Sequence, residues 1–279
     1  MPSARSSMLD RAPEGDPATG VRPVAFRGAG FVPRAGRYAG WIALALVIAL
    51  WQLAGSAGWV NSLFLPAPSA IAVAIYKLAM SGALWQHLAA SVVRIGSGWL
   101  LGTVAGVIVG FAIGLSTLAR SVGITFISAL FPIPKIALLP LLILWLGIGE
   151  EPKIVTIALG VFFSTAISVY SGVDAVPRNL IRMAQSFNVP FHAIVRRVIW
   201  PGALPSILAG FRITASVALL LVVSAEMIGA QFGIGAFVLQ AGNLMQTDQL
   251  LAGVVILSLF GLAVGKAISM LEARLLHWR

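Results

Sequence analysis

The chain of 279 residues has no cysteine, which excludes disulfides, thiolate metal sites and cysteine nucleophiles. Its three histidines, His87, His192 and His277, fall in different predicted regions without an H-E-x-x-H pairing, so neither a metal site nor a nucleophile with its base is suggested. The P-loop pattern G-x-x-x-x-G-K-[ST] is absent, because the Gly265-Lys266 pair lacks both the upstream glycine and the following hydroxyl. Energy from ATP would therefore have to come from another polypeptide. Charge is scarce as well: 10% of residues, against roughly 25% in soluble domains, excludes an ordinary soluble enzyme.

What the chain has in abundance is apolar sequence, 59% of residues, with a mean hydropathy of +0.96. A helix crossing a ~30 Å hydrocarbon core needs roughly 20 residues. Six segments approach that length: 40–59, 92–115, 124–146, 154–173, 207–230 and 250–270. The expectation is an all-α polytopic membrane protein with six transmembrane helices. Residues 1–39 are rich in Pro, Gly, Ala and Arg without apolar periodicity, which predicts a disordered tail. The run that follows reads as an uncleaved first span rather than a secretory signal.

The net charge of +10 comes from nineteen Lys and Arg against nine Asp and Glu, and their positions point to membrane orientation rather than to nucleic acid. Six arginines precede the first span. Arg120 follows the second, Arg178, Arg182, Arg196 and Arg197 follow the fourth, and Arg274 and Arg279 follow the sixth. The opposite loops hold little beyond Lys77 and Lys153. Both termini are thus expected in the cytoplasm.

Within the second span, Gly98, Gly102, Gly106, Gly110 and Gly114 recur every four residues and predict a strip for close helix packing. The third carries Pro132, Pro134, Lys135 and Pro140, whose missing backbone donors call for a site facing protein or water. That segment is open to two readings: part of a translocation pathway, or a structural kink with Lys135 reaching the interface. Arg94, Arg212 and Glu226 are ionised groups in or near apolar spans, fitting either a pathway for anions or ion pairs between helices. Between the fourth and fifth spans, Leu180, Met183, Phe187, Phe191, Ile194 and Val198 form an apolar stripe at helical spacing, with Pro190 dividing the helix and the 201–205 segment ending it. Such a helix can fill a groove on a soluble partner or rest on lipid headgroups.

This loop also carries a family resemblance. The stretch Ala184-Gln185-Ser186-Phe187-Asn188-Val189-Pro190, continuing through Arg196-Arg197-Val198-Ile199-Trp200-Pro201-Gly202-Ala203-Leu204-Pro205, resembles the EAA loop of permease subunits of binding-protein-dependent ABC importers. The nitrate, taurine and alkanesulfonate branch is the most similar. Supporting stretches are Leu65-Pro66-Ala67-Pro68-Ser69, Leu84-Trp85-Gln86-His87, Trp145-Leu146-Gly147-Ile148-Gly149 and Ala225-Glu226-Met227-Ile228-Gly229-Ala230.

The resemblance implies a type I ABC importer permease fold: a periplasmic connector with a short helix over 60–88, then a five-helix core over 89–275 that includes a cytoplasmic coupling loop at 174–205. It implies as partners a second permease copy in a homodimer, cytoplasmic ABC ATPase subunits that carry ATP and Mg, and a periplasmic binding protein. No cofactor is expected in this chain. The implied cargo is a small anion, and the implied location is the bacterial inner membrane. Aligned on Pro201, Arg182 stands where the family usually has Glu, and Asn188 where it usually has Gly. Asn tolerates the left-handed backbone that such a turn needs. The alternative is a secondary transporter driven by an ion gradient, but one Pro-broken segment without a counterpart and a single intramembrane acid, Glu226, argue against it.

Overall fold

The computed structural model describes residues 38–275, and all regular elements among them are helical. All but the last two residues of the expected tail 1–39, and Arg279, lie outside the described residues. The chain divides into two units, 1–51 and 52–279. Helix α1 (Ala39–Ser56) carries no charged residue and is long and apolar enough to cross a membrane.

In the second unit a short helix, α2 (Pro68–Met80), precedes α3 (Ala83–Leu115), and Gly82 between them takes a left-handed φ of 80°. Helix α3 starts nine residues before the expected boundary at 92. Its polar residues His87, Ser91 and Arg94 look like an interface in the sequence, but partners within the fold satisfy them, so the helix runs on through them.

The third expected span begins earlier, at 117, and is broken. Helix α4 (Thr117–Leu130) and α5 (Leu139–Leu146) meet at 83°, joined by 131–134 and a 3-10 turn, Lys135–Leu138. Five helices pass as membrane spans, and this bent pair makes a sixth.

Helix α6 (Glu151–Asp174) leads to α7 (Arg178–Ser186) and α8 (Phe191–Ile194), then a π-helical turn, Val195–Ile199, and α9 (Trp200–Gly229). The expectation that the 201–205 segment ends the loop helix is overturned, since the helical path is continuous over Phe191–Gly229. Pro201 has no N–H and its ring would crowd the carbonyl four residues back, but the wider π turn immediately before it accommodates the ring without a stop. Helices α10 (Ile234–Asn243) and α11 (Thr247–Leu275) complete the unit.

The glycine strip of α3 lies directly on α6. A Cβ added at Gly98, Gly102, Gly106, Gly110 or Gly114 would stand 2.6–2.8 Å from the Cβ of Ile157, Val161, Thr165, Val169 or Val173, in that order. Both helices advance by four residues together, so they run parallel, which requires the broken α4–α5 pair to return the chain between them. Helix α9 runs antiparallel to α6, with Gly172 against Ala203, Gly210 against Ser168 and Gly160 against Leu221. Helix α11 runs back along α9, where Gly261 faces Leu219. The unit therefore has two unlike ends: one holds α10 with the starts of α3 and α6, the other holds α7 and α8.

Candidate functional site

At the α10 end a buried ionic network joins three helices. The Arg94 side chain, only 4% exposed, donates from Nη1 to Glu226 Oε1 (2.8 Å) and to the Phe232 carbonyl (2.6 Å). Its Nη2 donates to Glu150 Oε1 (2.8 Å), and its Nε to the other oxygen of that carboxylate. Glu226, 1% exposed, also accepts from Ser91 Oγ (2.7 Å) and the Gly235 N–H (2.9 Å). Ser91 Oγ in turn accepts from the Ile234 N–H (3.0 Å). The Gly233 N–H donates to His87 Nδ1 (3.1 Å), whose ring lies near those of Phe232 and Phe237. Gly233 has φ 136°, and a Cβ there would run into the Glu226 carboxyl, so glycine is needed on both counts.

Lys153 Nζ closes the network by donating to Glu150 Oε1 (3.2 Å) and the Gly149 carbonyl (2.9 Å). Two cations and two carboxylates cancel. The hydrogen bonds from Arg94 hold the Glu150 carboxyl below the usual carboxylate range. Ser91, Glu150 and Lys153 were not singled out as site residues from the sequence. The available signal was spacing, since Ser91 and Arg94, like Glu150 and Lys153, are three residues apart on a helical path.

The other predicted pathway residues are dispersed. Arg212 pairs with Glu272 and links α9 to α11 near the opposite end. Lys135 Nζ donates to the carbonyls of Leu130, Phe131 and Ile133 (2.9, 2.8 and 2.7 Å) and sits 4.7 Å from the Phe163 ring centroid. The lysine thus supplies donors for carbonyls at the end of α4 beside Pro132 and Pro134. Pro140 lies in the first turn of α5, where a missing N–H costs nothing. Lys135, Arg212 and Glu226 are not brought into one site.

At the other end, α7 and the 187–190 turn form a compact arm. Asn188 has φ 55°, its N–H bonds the Gln185 carbonyl (2.9 Å), and the Val189 N–H bonds the Ala184 carbonyl (3.1 Å). Ser186 Oγ donates back to the Met183 carbonyl (2.8 Å), and Pro190 leads into α8. Ala184, Val189, Ile194 and Ile199 pack into one apolar cluster with Val173 and Val176, while Trp200 stacks on Phe111 at 5.1 Å. Phe187, by contrast, is 75% exposed, and Leu180, Met183 and Phe191 are exposed with it. The stripe read as a single face is therefore divided: its C-terminal members anchor the arm and the others are uncovered. Arg178, Arg182, Arg196 and Arg197 form no ion pair or hydrogen bond with side chains of the described residues.

The family described as "Binding-protein-dependent transport system inner membrane component" matches residues 102–277. A putative aliphatic sulfonates transport permease protein, SsuC, of Bacillus subtilis is 35% identical over 246 residues, 88% of this chain and 89% of the relative. The taurine transport system permease protein TauC of Escherichia coli is 36% identical over 240 residues, 84% of this chain and 87% of the relative. In fold, the chain resembles an inward-facing conformation of the MetNI methionine ABC transporter, with TM-score 0.53 and 22% identity over 68% of this chain and 97% of that one. An amino acid ABC transporter is similar at TM-score 0.55 and 15% identity, over 71% and 97% of the two chains. With a span-rich helical fold, a parallel α3–α6 pair and a motif-bearing arm at one end, this chain belongs to the binding-protein-dependent transport system inner membrane components, as a membrane permease of the type I importer fold.

Proposed function

We propose that the chain is the transmembrane subunit of an ATP-driven importer in the bacterial inner membrane, with both termini cytoplasmic. Two copies enclose the pathway, and each presents its α7 arm to a cytoplasmic ABC ATPase that carries ATP and Mg. A periplasmic binding protein delivers a small anion, an alkanesulfonate, taurine or nitrate-like solute, at the α10 end. The names of the sulfonate and taurine relatives support that substrate class.

The observation that carries the reading is the uncovered apolar face of α7, with Leu180, Met183 and Phe187 exposed on an arm whose other face is packed into the fold. ATP-driven closure of the ATPase pair moves the arm, and the arm selects between inward-open and outward-open states.

The test is a Met183→Asp, Phe187→Asp double variant in cells that depend on uptake. Membrane insertion is expected to stay normal while ATP-driven uptake and ATPase co-purification are lost. Normal uptake by this variant overturns the docking role. Val189 is a poorer target than Phe187, because it packs against the arm's own core and its replacement would mix docking with folding.

A further inference from the structure

The corner between α9 and α10 opens onto a cavity of about 650 Å³ that neither the arm nor the ionic network fills. Gln231 lines it from the turn, and Gln240 and Asn243 line it from one face of α10, three residues apart. None of these three side-chain amides has a hydrogen-bond partner among the described residues. Ile148, Met227 and Leu239 supply an apolar wall. Glu226 also borders the cavity, but Arg94, Ser91 and Gly235 already engage its carboxylate.

The unengaged polar side chains of this cavity are therefore neutral amides. Amide N–H groups donate to an oxyanion without any ionised partner, and such neutral contacts let a solute leave as well as enter, which a pathway requires. The apolar wall is useless to a bare inorganic anion but can cover an alkyl chain. The support is fixed, because the network bonds Gly233, Ile234 and Gly235 at the start of α10.

We infer that this cavity is a way-station for an alkanesulfonate, with Gln231, Gln240 and Asn243 receiving the sulfonate head and Ile148, Met227 and Leu239 the chain. The inference rests on the small-anion reading above and narrows it to an anion with an apolar tail.

The permease, reconstituted into proteoliposomes with the ATPase and binding protein that co-purify with it, is assayed for uptake of labelled butanesulfonate and for ATP hydrolysis stimulated by the loaded binding protein. Loss of two hydrogen bonds in a Gln240→Leu, Asn243→Leu variant is expected to lower uptake about tenfold with hydrolysis unchanged. Gln240→Glu, which repels the anion, is expected to lower uptake, and Gln240→Asn, which keeps the amide, to retain most of it. Wild-type uptake by the double variant overturns the site. So does an equal fall in hydrolysis across all variants, which marks a packing role. A wild-type protein that takes up labelled taurine or nitrate but no butanesulfonate overturns the inference and leaves the small-anion reading standing, whereas one that takes up none of the three overturns the small-anion reading and the inference with it.

Discussion

Arg94 and Glu226 are both buried and pair with each other, and removing one partner of such a buried pair costs about 3–5 kcal/mol because the other is stranded. Arg94→Met is expected to lower the melting temperature of the detergent-purified protein, and adding Glu226→Gln to recover part of the loss. A double variant that melts no higher than the single one would show that stranded charge is not the cause. Glu150 behaves differently, because its side chain is 53% exposed and its contribution is correspondingly small. Its carboxyl is held below the ordinary value, so its stabilising contribution is complete above an unfolded pKa of about 4.3 and is lost as pH falls through the lower folded value. Below about pH 4 the wild type is expected to lose melting temperature more steeply than Glu150→Gln, as followed by intrinsic tryptophan fluorescence.

The helices were readable from the sequence where one local pattern dictated one outcome. Five glycines at a four-residue interval have one close-packed solution, a straight partner with the same interval, and α6 provides it. Gly106→Leu is accordingly expected to cost about 1–3 kcal/mol or prevent folding, while Gly96→Leu, with nothing within 4 Å of its added Cβ, is expected to be neutral in a thermal melt. The prolines at 132 and 134 announced a break, but not that Lys135 would cap it. Lys135→Met is expected to destabilise the protein by leaving the Leu130, Phe131 and Ile133 carbonyls short of a donor, and Lys135→Arg to restore most of the loss. Helix ends were hidden where the compensating group lies far along the chain. Ser91 meets Ile234, 143 residues away, and nothing local to Ser91 shows that a helix can pass through it. The start of α9 was hidden for the converse reason: prolines read as a stop, yet the π turn makes room for Pro201, and the helix runs on with Pro205 inside it.

The two ends of the second unit differ in charge as well as in shape. Arg178, Arg182, Arg196 and Arg197 gather at the α7 end beside Arg120, which pairs with Asp174, whereas Lys153 at the α10 end is spent on Glu150. A reporter fused after Val173 is therefore expected to stay cytoplasmic, and one fused after Gln246 to be exported; the reverse pattern would invert the orientation.

The 30 residues of α9 span about 45 Å, more than the roughly 30 Å of hydrocarbon they must cross. One extremity continues through the π turn into α8, which meets the arm at the 187–190 turn, and at the other Glu226 is bolted to α3 and to the root of α10. In mechanical language α9 is a connecting rod with no slack at either pin. Load on such a rod travels both ways: if the arm grips an ATPase as proposed, whatever free energy a solute in the amide cavity adds to that grip, the grip returns in equal measure to the solute.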